Sequence, residues 1–360
     1  MSGDVLEKGV TGGVVPAGGT NGNDKNDYMN RLHSLKILAG LAAVTLLAAC
    51  SQDDGLTQDD TLPPGKYPIE LNVAGLEVVA TPDTRSTVDG EWDTGARIAV
   101  QAVDDPQKPA CLYTTDGKPA DEDVMLYWSS KTEHLRAWHT GESTSTELPE
   151  SWSVPTLQDE PGGYEQGDFL FSEVTEATYP NKANLTFYHQ MTKVIVHIRN
   201  TEITATTKPE DVTLSLQNIA ATGTFTAPSE TGGKYGTWNT EGKQTAEIIP
   251  LPLGQQTFTY DKQQETSVAS FTALIIPQTI AAGTKLLVFT MEQSDFSYVV
   301  PTGDIEWKGG EEYTFVITLT ADKLVDVEVD VNSLDGLSGF EWTDGGSTSG
   351  SYDIPQSTDR

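Results

Sequence analysis

The stretch Val325-Asp326-Val327-Glu328-Val329-Asp330-Val331 alternates apolar and acidic residues without a break. In an extended chain successive side chains point to opposite faces, so this run puts its valines on one face and its carboxylates on the other. A helix would scatter the same residues around all its sides. The period of two recurs outward from there. Phe315, Ile317 and Leu319 are interleaved with Thr314, Thr318 and Thr320, and Ile69, Leu71 and Val73 with Glu70 and Asn72. Shorter runs of the same character cover 97–103, 124–128, 134–139, 185–189, 194–198, 212–216, 270–276 and 285–291. Turn-forming clusters separate them: DGEWDTG at 89–95, TTDGKPADED at 114–123, DEPGGYEQGD at 159–168 and SETGGKYG at 229–236. Beyond residue 51 no amphipathic helix longer than two turns is apparent. The pattern predicts an all-β protein built from sandwiches.

Organisation follows from where the pattern weakens. Residues 148–167 read as a long loop within the first half, and a boundary near 180 divides 67–180 from 181–343, each the size of one sandwich. The tail, 344–360, is rich in Gly, Ser and Thr with no apolar period and reads as flexible.

The N-terminus has a different character. In MNRLHSLKILAGLAAVTLLAACSQDD (29–54), Arg31 and Lys36 precede an uncharged run from Ile37 to Ala49. That run is shorter than the roughly 20 apolar residues a bilayer-spanning helix needs, and it suits the core of a signal peptide. It closes on Leu47-Ala48-Ala49-Cys50, which resembles the lipobox of lipoprotein signal peptidase. On that reading 29–50 is the signal peptide, cleavage falls between Ala49 and Cys50, and Cys50 carries the lipid. Met29 is then the expected start, with 1–28 an extension outside the fold. Residues 51–66 form an acidic tether, whose opening Ser51-Gln52-Asp53-Asp54 resembles the signal that directs Bacteroidota lipoproteins to the outer face of the outer membrane.

A formal net charge of −31 argues against nucleic acid as a partner, because phosphate binding needs clustered Lys and Arg. With Cys50 acylated, Cys111 is the one cysteine left, so no internal disulfide and no thiolate metal cage can form. Cys111 is expected to be buried as a small hydrophobe.

Four motifs, in order, resemble the Bacteroidota fimbrillin family. TRSTVDGEW (84–92) and the strand Arg97-Ile98-Ala99-Val100 resemble its opening, with Ala96 where an Asp is usual. DFLF (168–171) and LTFYHQMTKVIV (185–196) resemble its central signature, with Thr192 in place of Ala. ALIIPQ (273–278) and WKGGEEYTF (307–315) resemble its later strands. The resemblance implies two tandem transthyretin-like β-sandwich domains and assembly into fimbriae by strand exchange. It implies a removable N-terminal strand, here 69–80 with Ile69, Leu71, Val73, Leu76 and Val78 facing inward. It also implies proteolytic maturation, here between Arg85 and Ser86. Other fimbrial subunits would be the partners, with the outer membrane reached through the lipid; a host protein or glycan ligand is left open. The 325–331 run is read as a plain strand, with a donor role on assembly as the alternative.

Catalytic chemistry finds no motif. The five histidines (33, 134, 139, 189 and 197) include no HExxH, and His134 and His139 should face opposite sides of a strand. His189 is read as a packed structural residue. There is no GxSxG elbow and no phosphate-cradling glycine loop. No metal, cofactor or enzymatic activity is expected. The competing reading is a monomeric surface lipoprotein that holds glycans on exposed aromatics, with Trp128, Trp138 and Trp152 as the candidate platform.

Overall fold

A computed structural model describes residues 60–74, 92, 95–105, 107–141, 145–200, 208–260, 262–291, 294–320, 323–330 and 343–344. The signal-peptide region with Ala49 and Cys50, the strand positions Leu76 and Val78, and the Arg85–Ser86 bond lie outside them.

The all-β expectation holds. The first sheet contains β1 (Leu71–Ala74), β2 (Arg97–Ala102), β3 (Cys111–Thr114) and β4 (Thr132–His139). After β5 (Ser151–Ser153), which belongs elsewhere, it gains β6 (Leu170–Ser172), β7 (Thr175–Thr178) and β8 (Ala183–His189). Its order is β1-β8-β6-β4-β2-β3, with β7 alongside β4. Alternation sorts its side chains cleanly. Ile98 and Val100, Leu135 and Ala137, Leu170, and Leu185 and Phe187 fill one core, whereas Ala99, Trp138 and Phe171 enter a second core from the opposite face.

The second half begins with β9 (Thr192–Asn200), β10 (Val212–Ala220), β11 (Thr222–Thr226) and β12 (Thr237–Asn239). It continues through β13 (Thr245–Ile248), β14 (Leu251–Gly254), β15 (Thr257–Tyr260), β16 (Gln263–Thr266) and β17 (Ala269–Ile275). It ends with β18 (Thr279–Ile280), β19 (Lys285–Met291), β20 (Ser294–Val299), β21 (Ile305–Glu306), β22 (Glu311–Thr320), β23 (Lys323–Asp330) and β24 (Thr343–Asp344). One sheet runs β13-β10-β19-β20 and another β14-β17-β9-β22-β23, with β24 beside β22. Leu214, Leu216, Leu287 and Phe289 from the former and Val194, Val196, Phe271, Phe315 and Ile317 from the latter share the second core. β17 is buried along its whole length, as a central strand covered on both faces must be.

The first core is built of residues 62–187 alone, whereas the second is shared by both halves. Residues from Asp60 onward form one compact unit. The chain passes from the first sheet to the next between His189 and Thr192, after the 185–189 run has paired back onto β6. The 148–167 loop is also more structured than its turn-rich sequence suggests. Its β5 pairs with β11 of the second half, and Tyr164 and Gln158 are buried. Gln158 donates its Nε2–H to the carbonyl of Leu274 (2.7 Å), and its Oε1 accepts the Leu274 N–H (2.8 Å). A side-chain amide thus stands where a neighbouring strand's backbone would, closing an otherwise open stretch of β17.

Candidate functional site

The N-terminal segment 60–74 is short, yet it bonds along both of its sides. Leu62 donates its N–H to Ser129 (2.7 Å), Ile69 donates to Leu126 (2.9 Å), and Trp128 and Lys131 donate back to Tyr67 (2.9 Å) and Asp60 (2.7 Å). On the other side Ala183 donates to Glu70 (2.9 Å), and β1 continues parallel to β8 from Leu71↔Ala183 to Ala74↔Thr186. Backbone groups in a strand point alternately left and right. Residue 69 therefore addresses the 126 side, and residue 70 addresses β8. The segment sits in the seam between β8, at one end of the first sheet, and the chain that follows β3, at the other.

Its side chains alternate in the same way. Ile69 and Leu71 are 1% and 2% exposed, Leu62 is buried, and Val73 packs at the margin of the first core. Glu70 and Asn72 face out, where they meet Lys182 (3.0 Å) and Asn184 (2.9 Å). The Glu70–Lys182 pair is exposed on both members and contributes little. Burial dominates: two fully buried aliphatic side chains contribute about 1.5–3 kcal/mol each. Tyr67 adds a ring contact with Tyr179 at 5.1 Å.

Tyr113 stands at the centre of the seam, fully buried. Its hydroxyl donates to the carbonyl of Ile69 (3.3 Å) and accepts the N–H of Leu126 (3.0 Å). Burial pushes its phenol up to about 12, so the proton needed to donate stays in place. Gly117, at φ +82°, is packed so closely that a Cβ there would lie 2.2 Å from the Leu71 carbonyl oxygen. Sequence reasoning found Ile69, Leu71 and Val73 from their alternation. Tyr113 and Gly117 escaped it, because nothing in the sequence shows which turn lies against the N-terminal segment.

The three tryptophans named in the competing glycan reading are mostly turned inward. Trp128 and Trp138 are each 2% exposed: Trp128 packs in the core beneath the seam segment, and Trp138 enters the second core. Trp152 is half-buried, with its ring 5.6 Å from that of Phe169 and its Nε1–H donated to Gly167 (3.1 Å). Fixed wide aromatic side chains are more useful to these cores than polar ones of the same size, which accounts for their inward positions.

His189 is packed, with Nδ1 2.9 Å from Asp168 and both side chains buried. His134 lies at the surface beside Asp104 (3.0 Å), whereas His139 is buried. Cys111 is buried, and burial pushes its thiol up. Among the described residues no group of three or more His, Cys, Asp or Glu is placed to hold a metal ion.

The fold and seam define a class: an all-β sandwich protein whose first sheet is completed by its own N-terminal segment. A family model described as fimbrillin-like matches residues 84–333, and the chain belongs to that family. Similar solved structures include candidate cell adhesion proteins from Bacteroides ovatus and Bacteroides uniformis. The first is 16% identical with a TM-score of 0.47, covering 73% of this chain and 95% of the other. The second is 18% identical with a TM-score of 0.49, covering 74% and 97%. The fimbrial anchor protein Mfa2 from Porphyromonas gingivalis is 12% identical with a TM-score of 0.32, covering 76% and 98%. A search of curated proteins found none that matches.

Proposed function

We propose that this chain is a structural subunit of cell-surface fimbriae, exported as a lipoprotein on Cys50 and assembled by strand exchange after cleavage between Arg85 and Ser86. The observation that carries this reading is the seating of 60–74. The segment supplies Ile69 and Leu71 to the first core and bonds to both borders of a seam, yet it is joined to the rest of the protein only through 75–91. The family match opens at residue 84, beside Arg85, so the seam segment lies outside the matched region.

Cutting at Arg85 would make the segment a separate peptide held by non-covalent contacts alone. Its departure would expose the first core and leave the backbone of β8 and 126–131 unpaired, an edge that recruits another strand. Ile69, Leu71, Val73 and the outlying Leu76 and Val78 would be the side chains exchanged, and a second subunit would supply their replacements. Cys50 would then anchor the precursor, and the lipid would leave with the strand it tethers.

Treating the full-length chain with a trypsin-like protease tests this. One cut after Arg85 followed by growth of polymers is expected; a chain that stays monomeric after losing everything before Ser86 counts against it.

A further inference from the structure

Two of the motif stretches, 185–196 and 307–315, meet at a place that strand exchange does not use. Gln190 joins them. It is buried, and its side chain is fully engaged: Nε2 donates to the carbonyls of Tyr188 (3.0 Å) and Lys234 (3.1 Å), and Oε1 accepts the Gly236 N–H (2.9 Å). Its main-chain carbonyl accepts the Trp238 indole N–H (3.0 Å) and lies against Gly309, where a Cβ would stand 2.9 Å away. The 234–238 segment is thus clamped beside the 307–310 turn. Gly310, at φ +76°, packs against Tyr235, whose ring an added Cβ would meet at 2.4 Å.

Together with 277–279 these pieces border a cleft of 420 Å³, a size common for small-molecule sites. Tyr235 is 38% exposed, one of few large apolar side chains at the surface among the described residues, and half-buried Trp238 lines the same cleft. The polar groups on offer are chiefly acceptors. The Trp238 indole N–H is spent on Gln190, that of Trp307 is buried, and the Gln278 amide is bonded to Ala220 and Ile276. What remains is the exposed carboxylate of Glu306, that of Glu311, and the Lys308 ammonium 4.0 Å from Glu311. The Tyr313 hydroxyl lies 2.7 Å from the Glu306 carbonyl and 2.5 Å from Glu311 Oε2. Burial first, and the Glu311 carboxylate second, push its phenol up, so it stays protonated and pins both residues.

We propose that this cleft is a saccharide-binding site, which takes a neutral sugar with its C–H face on Tyr235 and its hydroxyls donated to Glu306 and Glu311. A fixed aromatic ring beside hydrogen-bond acceptors suits a ligand with one apolar face and many O–H donors. An acidic sugar would face two carboxylates against one ammonium, on a chain of net charge −31. A simple cation would have Glu306 as its one uncommitted carboxylate, and an exposed ion pair is a weak anchor. The site does not rest on the exchange reading.

Saturation-transfer NMR on the full-length chain tests it, with glucose, galactose, mannose and N-acetylglucosamine, each free and as a disaccharide. At least one should bind with a Kd on the order of 1 mM, as expected for a small ligand in an open cleft. Tyr235→Ala should weaken binding at least about tenfold, because the stacking surface is lost. Glu306→Gln keeps the shape but loses a charge-assisted hydrogen bond, and about fivefold weakening is expected. Glu306 is exposed, so this variant decides the matter even where Tyr235→Ala unfolds. No transfer to any of these sugars, or binding that neither substitution weakens, overturns the site. Binding of tetramethylammonium in their place, weakening as salt is raised, overturns it in favour of a cation ligand. The lining residues lie at 235–311, beyond Arg85, so the measurement needs no cut or polymerised chain, and failure of strand exchange leaves its result standing.

Discussion

Shortening the two most deeply seated side chains of the seam, Ile69→Ala with Leu71→Ala, probes how much of the first core this segment supplies. They are 1% and 2% exposed. Truncating a buried aliphatic side chain to Ala costs about 2–5 kcal/mol. A marginal segment can settle into part of the space, which favours the lower half of that range, about 2–3 kcal/mol each. The residues lie two apart on one face and share neighbours, so their effects should not add fully. About 4–5 kcal/mol is expected for the pair. Neither residue touches the second core. The loss should therefore appear first as local opening: in amide exchange, Ile69, Trp128 and Lys131 lose protection while β9 and β17 keep theirs. Equilibrium urea denaturation of the intact chain gives the global change. A drop below 1 kcal/mol, or uniform loss of protection throughout, would refute the assignment of this segment to a separable part of the core.

Other perturbations test the surrounding architecture. Gln158→Ala leaves the buried Leu274 N–H and C=O without their partner and should destabilise by about 2–4 kcal/mol in thermal or urea unfolding. Trp128→Ala should cost about 3–5 kcal/mol, as expected for a core ring; a variant of unchanged stability would show the indole to be dispensable to packing. His197 is buried, stacked on Phe258 at 4.2 Å and bonded to Ser270, and burial lowers its pKa to about 4. With the unfolded group near 6.5, the unfolded chain binds more protons between those values, so stability falls as pH drops from about 6.5 to 4. The full effect is about 3 kcal/mol, and His197→Asn should flatten that part of the stability curve.

How much could be read from sequence follows the physics of each element. Strands such as β4 and β8 show themselves because their alternation records one buried face of the pleat and one more open face. β17 was also evident, as one of the shorter runs of the same character, 270–276. Less visible was what depends on partners distant in sequence. Gln158 looks like any polar loop residue until Leu274 is brought beside it, and 151–153 is too short to carry a period. The sharing of the second core by both halves cannot be inferred from composition, since Trp138 and Phe171 look alike whichever core they enter. At the seam, the inward set of Ile69 and Leu71 was legible. Tyr113 and Gly117 were not, because a tyrosine in a strand and a glycine in a turn have many ordinary explanations. Trp128 and Trp138 illustrate the converse: the sequence left a binding platform open as the competing reading, and both rings are packed in cores.

The central claim is that the N-terminal segment is a temporary occupant. N-terminal sequencing, with intact-mass measurement, of the protein isolated from surface fimbriae tests it most directly. The account predicts a chain beginning at Ser86, without lipid. A chain that still begins at an acylated Cys50 and retains Ile69 and Leu71 would contradict it.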